Sequence, residues 1–533
     1  MAFKNLKSTL KNYPLTHLPT FALVIGAISF WLELYVIRLP LGHSSWMAWV
    51  VFIFCLLILV CFRAWKLNFK YYKDLLVDKS WGFKAILAIA ALLILVYLSV
   101  GLYASFFPPH LVQESDALTY HITLPRQHLI RHSFAHITWS TPDLFLLPLD
   151  YALSPFELST LWPNKVIQFV FFAGCLGLVF HLVYLLSGKS VRRSAIGVLA
   201  VMACHGIAIQ VGLAMLDLVM LYCFLAFLDS FLAGRWALAA IEFTFFFWSK
   251  AFIPPQMAVI GIMVGIILWG ALKRGFSHDE IPIPGPRGRK IFITVFLAAS
   301  LGVALPYLVK SFYYTGSPLY PFGVGFLPPL VQCAPDHWQS ILQRAGECLS
   351  EKDRYGHGRS IIAFIKHFWL IAVPEKGVNN VFDYPIGLIY LLALGPFFGH
   401  AVSSLKSKKL PLLSLMIMVW WMTWWWGSQQ SRFLLVPICL MIILSISFLP
   451  RISRILIVLV IMILALEAVS LINAHRHDWG KSYFSVLRDK DKKLLETKSP
   501  LENSELELNF PDAAFSPFPV TVRHSDSVYV LPH

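Results

Sequence analysis

The chain is poor in charged residues. Asp, Glu, Lys and Arg make up 14% of its 533 residues, hydrophobic residues make up 57%, and the mean hydropathy is +0.67. Soluble globular domains carry about 25% charged residues, so this composition excludes an ordinary soluble protein. Apolar runs of about 18 or more residues recur along the chain, and each is long enough to cross a bilayer. Because backbone groups in hydrocarbon must bond to one another, these runs are predicted to be helices.

The sequence also lacks an internal repeat at a fixed period, a low-complexity tract and a cleavable signal peptide. Its first apolar run, 20–39, follows Lys4, Lys7 and Lys11. The run is too long for a signal-peptide core and has no small-residue cleavage site. We expect it to remain as a membrane anchor.

The hydrophobic pattern predicts an all-α, polytopic transmembrane bundle of about thirteen helices with two long outer loops. The net charge of +15 fits this topology, because the excess Lys and Arg lie in short alternate connections, as on the cytoplasmic side of membrane proteins. The charge therefore gives no reason to expect nucleic-acid binding. The predicted spans are 19–38, 46–63, 84–106, 165–187, 193–212, 213–232, 236–250, 253–272, 290–310, 384–402, 410–427, 433–450 and 454–474.

The domain organisation follows from the same pattern, with the N-terminus inside. Residues 475–533 form an outer tail, in which short strands are expected near 520–522 and 528–530. The other segments are 1–83, with two helices and a basic cytoplasmic loop, 84–310, the core module with the first outer loop at 107–164, 311–383, the second outer loop, and 384–474, the C-terminal helices.

Cysteine use agrees with the predicted topology. Of the eight cysteines, only Cys333 and Cys348 lie in polar sequence, and both fall in the second outer loop. The others lie in hydrophobic spans, where cysteine packs as a small apolar residue. We predict a disulfide between Cys333 and Cys348 if the outer side is oxidising.

Two carboxylates, Glu114 and Asp116, stand two positions apart at the start of the first outer loop. A carboxylate just outside a membrane exit can take a proton from an acceptor hydroxyl, and partial burial would raise its pKa toward that task. The alternative is a solvated loop with ordinary acids. Spacing alone does not choose between the two interpretations.

Three ionisable residues lie within or at the edge of hydrophobic spans: Asp217, Lys250 and Arg432. Because successive spans cross the membrane in alternate directions, the span count places all three at the outer end. Charges there are costly and are therefore functional candidates. A Lys and an Arg at one membrane level can hold a lipid phosphate, whose negative charge grows as a sugar leaves. The alternative is that both side chains snorkel to lipid headgroups.

Three histidines, His128, His132 and His136, recur every four residues, a spacing that puts them on one face of a helix. Imidazoles so placed can bind a metal. Such a face is more often the polar side of a helix that lies on the membrane surface, and we favour that interpretation.

Five tryptophans crowd the outer end of one predicted span, directly before 427–433. An aromatic belt at the membrane–water interface explains them without a further function. A surface for sugar stacking is the alternative. The five are Trp420, Trp421, Trp424, Trp425 and Trp426.

Four segments of the chain carry a family resemblance. They are Asp116-Ala117-Leu118-Thr119-Tyr120-His121 with Pro125-Arg126, Trp248-Ser249-Lys250, Thr315-Gly316-Ser317-Pro318-Leu319-Tyr320-Pro321-Phe322, and Ser431-Arg432-Phe433-Leu434-Leu435-Val436-Pro437. In motif, order and spacing they resemble the membrane-embedded C-type glycosyltransferases, which include protein O-mannosyltransferases and lipid A aminoarabinose transferases. The resemblance covers residues 84–450. Two features depart from the family: Ser317 stands where Asn is usual, and an extra pair of helices precedes the acidic loop.

The resemblance implies an inverting transfer of a hexosyl or pentosyl group from a polyprenyl-phosphate donor to a glycan, lipid or protein acceptor. The enzyme would be a multi-pass inner-membrane protein with its active site facing the periplasm. Its need for a divalent metal stays open, because family members differ. The implied catalytic residues are Asp116 and Glu114, the donor-phosphate ligands are Lys250, Arg432 and Arg126, and the cavity residues are His121, Asp217 and Tyr320.

Two other function classes remain open. A transporter or flippase of a lipid-linked solute would use the same intramembrane charges, but usually shows inverted repeats and broken helices, which the sequence does not show in matched halves. A surface-glycan polymerase or ligase also combines many helices with a large outer loop that carries arginines and a histidine. Here those residues would be Arg344, Arg354, His357 and Arg359.

Overall fold

The protein is mainly helical. The computed structural model describes residues 15–37, 48–53, 81–106, 116–137, 140–157, 165–279, 285–331, 333–373, 382–474, 520–524 and 527–531. Its α-helices are α1 (Leu18–Leu32), α2 (Trp81–Ser105), α3 (Thr123–Arg131), α4 (Pro148–Glu157), α5 (Val166–Leu186), α6 (Val191–Met202), α7 (His205–Ala208), α8 (Asp217–Leu232), α9 (Trp236–Phe247), α10 (Ile253–Lys273), α11 (Pro286–Val303), α12 (Leu305–Thr315), α13 (Pro335–Arg354), α14 (Ile361–Leu370), α15 (Leu388–Lys406), α16 (Leu412–Trp426), α17 (Leu435–Phe448) and α18 (Arg454–Ala474). Strands are β1 (Ser277–Asp279), β2 (Lys409–Pro411), β3 (Val520–His524) and β4 (Ser527–Leu531), and π turns occur at Glu33–Ile37 and Ala117–His121.

Seven helical segments of the described chain are long and apolar enough to cross a membrane. Helices α11 and α12 meet at a bend of 54°, and they add an eighth span if the pair counts as one. These helices are typical of a multi-pass membrane protein. The seven segments are Leu18–Ile37, Ala88–Ser105, Val166–Leu186, Ile253–Lys273, Leu388–Lys406, Ser431–Phe448 and Arg454–Asn473.

The other predicted spans contain shorter helices. Helices α6 and α9 have 12 residues, α16 has 15 and α8 has 16, whereas a span needs about 20. The predicted span 193–212 is not one helix, since α6 ends at Met202. Farther along, the chain turns at Gly212, where φ is +84° and a Cβ would lie 2.7 Å from the Cβ of Ala104. Most of the predicted span 46–63 lies outside the described residues. Helix length therefore supports fewer spans than the sequence predicts.

Helix α17 is the centre of the bundle. Of the span Ser431–Phe448, 83% is buried, whereas the corresponding fraction for the α10 span is 6%. Helices α5, α6, α8, α15 and α16 all contact α17. Helix α17 is apolar on every side, as a fully surrounded helix is expected to be. The residues at its N-terminal end are therefore surrounded by several helices, although Arg432 remains partly exposed.

Connections that the charge pattern places on one side of the membrane do lie together. Strand β1, which follows α10, pairs in parallel with β2, which follows α15, so that Ser277 faces Lys409. Arg193 donates hydrogen bonds to the carbonyl oxygens of Ser447 and Leu449 at 2.6 and 2.8 Å. These contacts join connections that are all predicted to be cytoplasmic, and they lie at the end of the bundle opposite to Arg432.

The first predicted outer loop contains a buried helix. Every residue of α4 is buried, and the helix packs against α1. The two backbones approach closely at Gly26, where a Cβ would lie 1.8 Å from the carbonyl oxygen of Ala152. Small residues permit such close approach between helices. This part of the loop is therefore an integral part of the helix bundle.

Part of the second predicted outer loop also packs on the bundle. Helix α14 packs against the C-terminal part of α16. Phe364 contacts Trp425, and Phe368 is stacked on Trp421. The Trp421 Nε1–H donates to His367 Nε2 at 2.6 Å. The predicted aromatic belt is wrong for most of the tryptophan cluster, because other side chains of the protein cover it. Helix α14 packs on Trp421 and Trp425, whereas Phe224 and Phe246 pack on Trp420. Trp420, Trp421, Trp424 and Trp425 are buried, and Trp426 is 71% exposed.

The predicted disulfide is wrong for this structure. Cys333 and Cys348 are not bonded to each other. Cys333 precedes α13 and Cys348 lies more than three turns along it. A helix rises about 1.5 Å per residue, so Cys348 lies about 20 Å along α13 from its first residue, whereas the Cα atoms of a disulfide lie less than about 7 Å apart.

The strands expected in the C-terminal tail are confirmed. Strands β3 and β4 form an antiparallel hairpin in which Val522 pairs with Tyr529 and His524 with Ser527. Alternating Val residues and a tight connection favour such a hairpin.

Candidate functional site

The candidate site lies at the N-terminal end of α17. Arg432 lies in a 3-10 turn, Ser431–Leu434, that leads into this helix. Its Nη1 donates to Asp116 Oδ2 at 2.8 Å and its Nε to Gln430 Oε1 at 2.9 Å. Its Nε also lies 3.3 Å from Asp383 Oδ2. The guanidinium thus joins the first predicted outer loop to the segment that follows α14.

Asp116 is held in its ionised form. It lies directly before the π turn Ala117–His121. Burial opposes ionisation of this carboxyl, but the Arg432 guanidinium outweighs it and lowers the pKa of Asp116 to about 2. The Asp116 side chain is 28% exposed and that of Arg432 is 18% exposed. This ion pair is therefore largely buried, but both side chains keep some contact with solvent.

A second ion pair lies beside the first. Lys250 Nζ donates to Asp217 Oδ1 at 3.0 Å, and Asp217 is the first residue of α8. The ring of Phe433 lies between the two cations: its centroid is 5.4 Å from Lys250 Nζ and 5.4 Å from Arg432 Cζ. The three residues predicted at one membrane level are therefore brought together, and Asp116 joins them.

His121 belongs to the same region through Asp150, a residue of α4. His121 Nδ1 and Asp150 Oδ1 are joined by a short hydrogen bond, and both side chains are buried. Burial raises the pKa of Asp150, although His121 and Lys250 oppose the shift. His121 is also close enough to Asp116 to lower its pKa.

Sequence reasoning missed Asp150 and Asp383. Asp150 was detectable, because it is an acid inside the apolar run 144–156. Asp383 had no such local signal. It reaches Arg432 because the Ser431 N–H donates to the Phe382 carbonyl at 2.8 Å and fixes this segment at the start of α17. Asp383 has φ +79°, a conformation that non-glycine residues rarely adopt and that is common at functional sites.

Other predicted site residues lie elsewhere or outside the described chain. Tyr320 donates from its hydroxyl to the Ile341 carbonyl at 2.9 Å and packs in a small core with Leu144. That is a structural role in holding α13. Arg126 lies on α3, where burial lowers its pKa to about 10, and no contact joins it to Arg432 or Lys250 in the described chain. Glu114 lies outside the described residues.

The prediction that the three histidines share one helix face is wrong, and two of them belong to a cluster around Asp143. Helix α3 ends at Arg131 because His132 adopts a left-handed conformation with φ 46°, so His136 is not on the same helix face as His128. His128 Nε2 and His136 Nδ1 instead contact the two oxygens of Asp143 at 2.6 and 2.9 Å. Both imidazoles are buried, which excludes the polar face of a surface helix.

Lys310 completes this Asp143 cluster. Its Nζ donates to Asp143 Oδ1 at 2.8 Å and lies 4.1 Å from the ring centroid of Phe134. His136 Nε2 lies 2.8 Å from His337 Nε2, which links the cluster to α13. Burial opposes ionisation of Asp143, but Lys310 and His128 hold its pKa well below its usual range. Within the described ranges, no group of three or more His, Cys, Asp and Glu side chains is arranged to hold a metal ion.

The loop residues of the polymerase alternative are engaged in separate contacts. Arg344 pairs with Glu347 on the exposed face of α13 at 3.1 Å. Arg359 donates to the Gly427 carbonyl at 2.6 Å, and the His357 ring lies 5.4 Å from that of Phe382. The Arg354 side chain lies outside the described part of the structure, and the three described side chains contact different partners.

No family model matches the sequence, and neither a curated protein nor a solved structure matches it.

Proposed function

We propose that the protein is an integral-membrane glycosyltransferase that moves a sugar, with inversion, from a polyprenyl-phosphate donor to an acceptor at the outer face of the inner membrane. One observation carries the proposal: the ion pairs of Arg432 with Asp116 and of Lys250 with Asp217 lie side by side at the start of the most buried of the candidate membrane spans. Charges in such a place are costly, and so mark a functional site by default. Thirteen spans, two long outer loops and a periplasmic orientation belong to the same proposal.

The two cations suit a lipid phosphate. The bonds of Arg432 to Asp116 and Gln430 use Nη1 and Nε, and within the described residues the Nη2 donors remain for a phosphate oxygen. Lys250 provides a second positive charge on the other side of Phe433. As the bond between sugar and phosphate breaks, negative charge grows on the phosphate, and fixed cations in a shielded site stabilise it.

Asp116 is better suited to orient the acceptor than to deprotonate it. A carboxylate with a pKa of about 2 is a weak proton acceptor near neutral pH. It can still accept a hydrogen bond from the acceptor hydroxyl and hold it in line with the sugar. Correct orientation of two reactants is itself a large rate factor.

The proposal is tested by transfer from a panel of radiolabelled polyprenyl-phosphate sugars to membrane-extracted acceptors, with the purified protein in lipid nanodiscs. The Asp116→Ala variant should transfer at least about 100-fold more slowly than the wild type, because the acceptor loses its orientation. Glu347→Ala is the matched control, since Glu347 also pairs with an arginine but lies on the exposed face of α13. A wild-type rate in Asp116→Ala, or no transfer from any donor, would contradict the proposal.

A transporter of a lipid-linked anion is the second candidate, because α11 and α12 form a span bent by 54°. Broken helices line the substrate sites of many transporters. The two functions are separated by reconstitution into liposomes that contain a fluorescent polyprenyl-phosphate sugar. Movement of the intact donor between leaflets without sugar release would favour transport.

A further inference from the structure

His121 and Asp150 form a buried hydrogen-bonded pair, and in the described chain neither residue is hydrogen-bonded to Arg432 or Lys250. The hydrogen bond joins the π turn Ala117–His121 to helix α4. It occupies Nδ1 of the imidazole, and within the described part of the chain Nε2 makes no hydrogen bond. An aspartate on Nδ1–H fixes the tautomer in which Nε2 carries a lone pair. The pair therefore has the form of an oriented base.

The π turn places this base beside the charged site. The Ile122 N–H donates to the Ala117 carbonyl at 2.9 Å, which closes a turn with an i to i+5 bond. In an α-helix, a residue five positions after Asp116 would be rotated by about 140° from it. The wider turn brings His121 and Asp116 toward the same side, and such turns are frequent at functional sites.

We propose that His121, oriented by Asp150, is the catalytic base that accepts the proton of the acceptor hydroxyl. The inference rests on the glycosyltransferase function proposed above. In the step, Nε2 takes the hydroxyl proton, and the freed oxygen pair forms a bond to the anomeric carbon. The bond from that carbon to the phosphate oxygen breaks, and its electron pair leaves with the polyprenyl phosphate. His121 then carries the proton, which passes to solvent, so charge and atoms balance.

The charged neighbours give His121 and Asp116 different tasks. Asp116, next to the same turn, is ion-paired with Arg432, whereas Asp150 bonds to His121 and feels the charge of Lys250 without an ion pair to it in the described chain. Tyr120 packs against His121, with 4.2 Å between the ring centroids. Asp116 remains ionised by its guanidinium partner and is a poor base. The neighbouring imidazole bonds to Asp150 through Nδ1, so its Nε2 can accept a proton.

The test compares His121→Gln with Asp150→Asn and the wild type, in the same transfer assay. Glutamine retains a donor for Asp150 but cannot act as a base, so kcat should fall by about 10²- to 10⁴-fold while donor KM stays within about threefold. Asp150→Asn should lower kcat in the same direction, because the favoured tautomer is lost. The wild-type rate should fall in acid as the base becomes protonated, and His121→Gln should lack this acid limb.

Rescue separates a catalytic role from a structural one. Added imidazole should restore part of the transfer rate of His121→Ala, with the acid limb set by the added base, if the variant retains donor binding. A wild-type rate in His121→Gln, or a His121→Ala variant that binds donor and is not rescued, would overturn the role of His121 and leave the glycosyltransferase proposal intact. A wild-type protein that transfers no sugar would overturn both.

Discussion

Two charged clusters lie near α4, and they are built from similar kinds of side chain. In the Asp143 cluster, one carboxylate accepts bonds from Lys310, His128, His136 and the backbone N–H of Ile137, at 2.6 to 2.9 Å. The Asp143 and Lys310 side chains are 0% and 5% exposed. Every oxygen of this carboxylate is satisfied and water is excluded, so the cluster fixes one arrangement of the chain.

The cation site, formed by Arg432, Lys250, Asp116 and Asp217, differs from the Asp143 cluster in two ways. Its carboxylate oxygens are not all hydrogen-bonded within the described residues, and its cations are partly exposed to solvent. Asp217 has one oxygen that is buried without a hydrogen-bond partner in the described chain. Lys250 and Arg432 are 15% and 18% exposed. An incompletely satisfied, partly open cluster can exchange one of its own contacts for a ligand, whereas a closed one cannot without unfolding locally. We therefore expect the Asp143 cluster to have a structural role, and the proposed ligand binding falls to the cation site.

The largest effect should come from Arg432→Ala. Loss of the guanidinium removes a cation from the leaving phosphate and should lower transfer by about 10³-fold or more. The unfolding temperature should change less than it does in variants of the Asp143 cluster, because Asp116 is near enough to solvent to be rehydrated. Donor binding and thermal unfolding are measured on one preparation, with Arg432→Lys as the charge-conserving control. An inactive Arg432→Ala protein that binds donor normally would contradict the proposed role of Arg432 in binding the donor phosphate.

Asp143→Ala should show the opposite pattern. Its removal leaves Lys310 buried without its carboxylate, and breaking a buried ion pair from one side costs about 3–5 kcal/mol of unfolding free energy. Transfer per folded molecule should remain within a few fold of the wild type. The measurement is the unfolding midpoint in denaturant together with the rate normalised to folded protein. A stable Asp143→Ala protein that has lost transfer would move this cluster into the site.

The sequence predicts one half of this comparison well. Arg432, Lys250 and Asp217 stand out because ionisable residues in apolar runs are rare, and the structure joins them. The Asp143 cluster was not predicted, since a four-residue spacing indicates a helix face only while the helix continues. Here α3 stops at His132, and the backbone reversal that aims His136 at Asp143 depends on tertiary contacts.

Lengths of helices were harder to predict than their positions. Mean hydropathy cannot separate a helix buried in protein from one with an exposed apolar face. Helix α4 is buried along its whole length, whereas α14 buries Ala363 and His367 and leaves Ile361 and Ile362 exposed. The approach of Asp383 to Arg432 was out of reach for the same reason: it depends on a backbone hydrogen bond between segments 49 residues apart (431 minus 382). Such contacts leave no local pattern.

The smallest predicted effect acts on both clusters at once, through α4. Helix α4 carries Asp150, which faces His121, and Tyr151, whose hydroxyl lies 3.4 Å from Asp143. Gly26→Ala would press a methyl group into the Ala152 carbonyl, and backbone cannot rotate away as a side chain can. Overpacking of this kind costs about 1–3 kcal/mol. We expect a lower unfolding midpoint and a loss of transfer of roughly tenfold or less.

Gly261→Ala is the matched control for this change, because Gly261 lies on the exposed helix α10 and a Cβ there meets nothing within 4 Å. Alanine also favours a helix over glycine by about 1 kcal/mol, so the control should be neutral or slightly stabilising. If α4 supports both clusters, Gly26→Ala must lower stability and transfer together. A variant that loses stability with an unchanged rate per folded molecule would show that the cation site is held independently of α4, and would separate the two clusters further than their shared helix suggests.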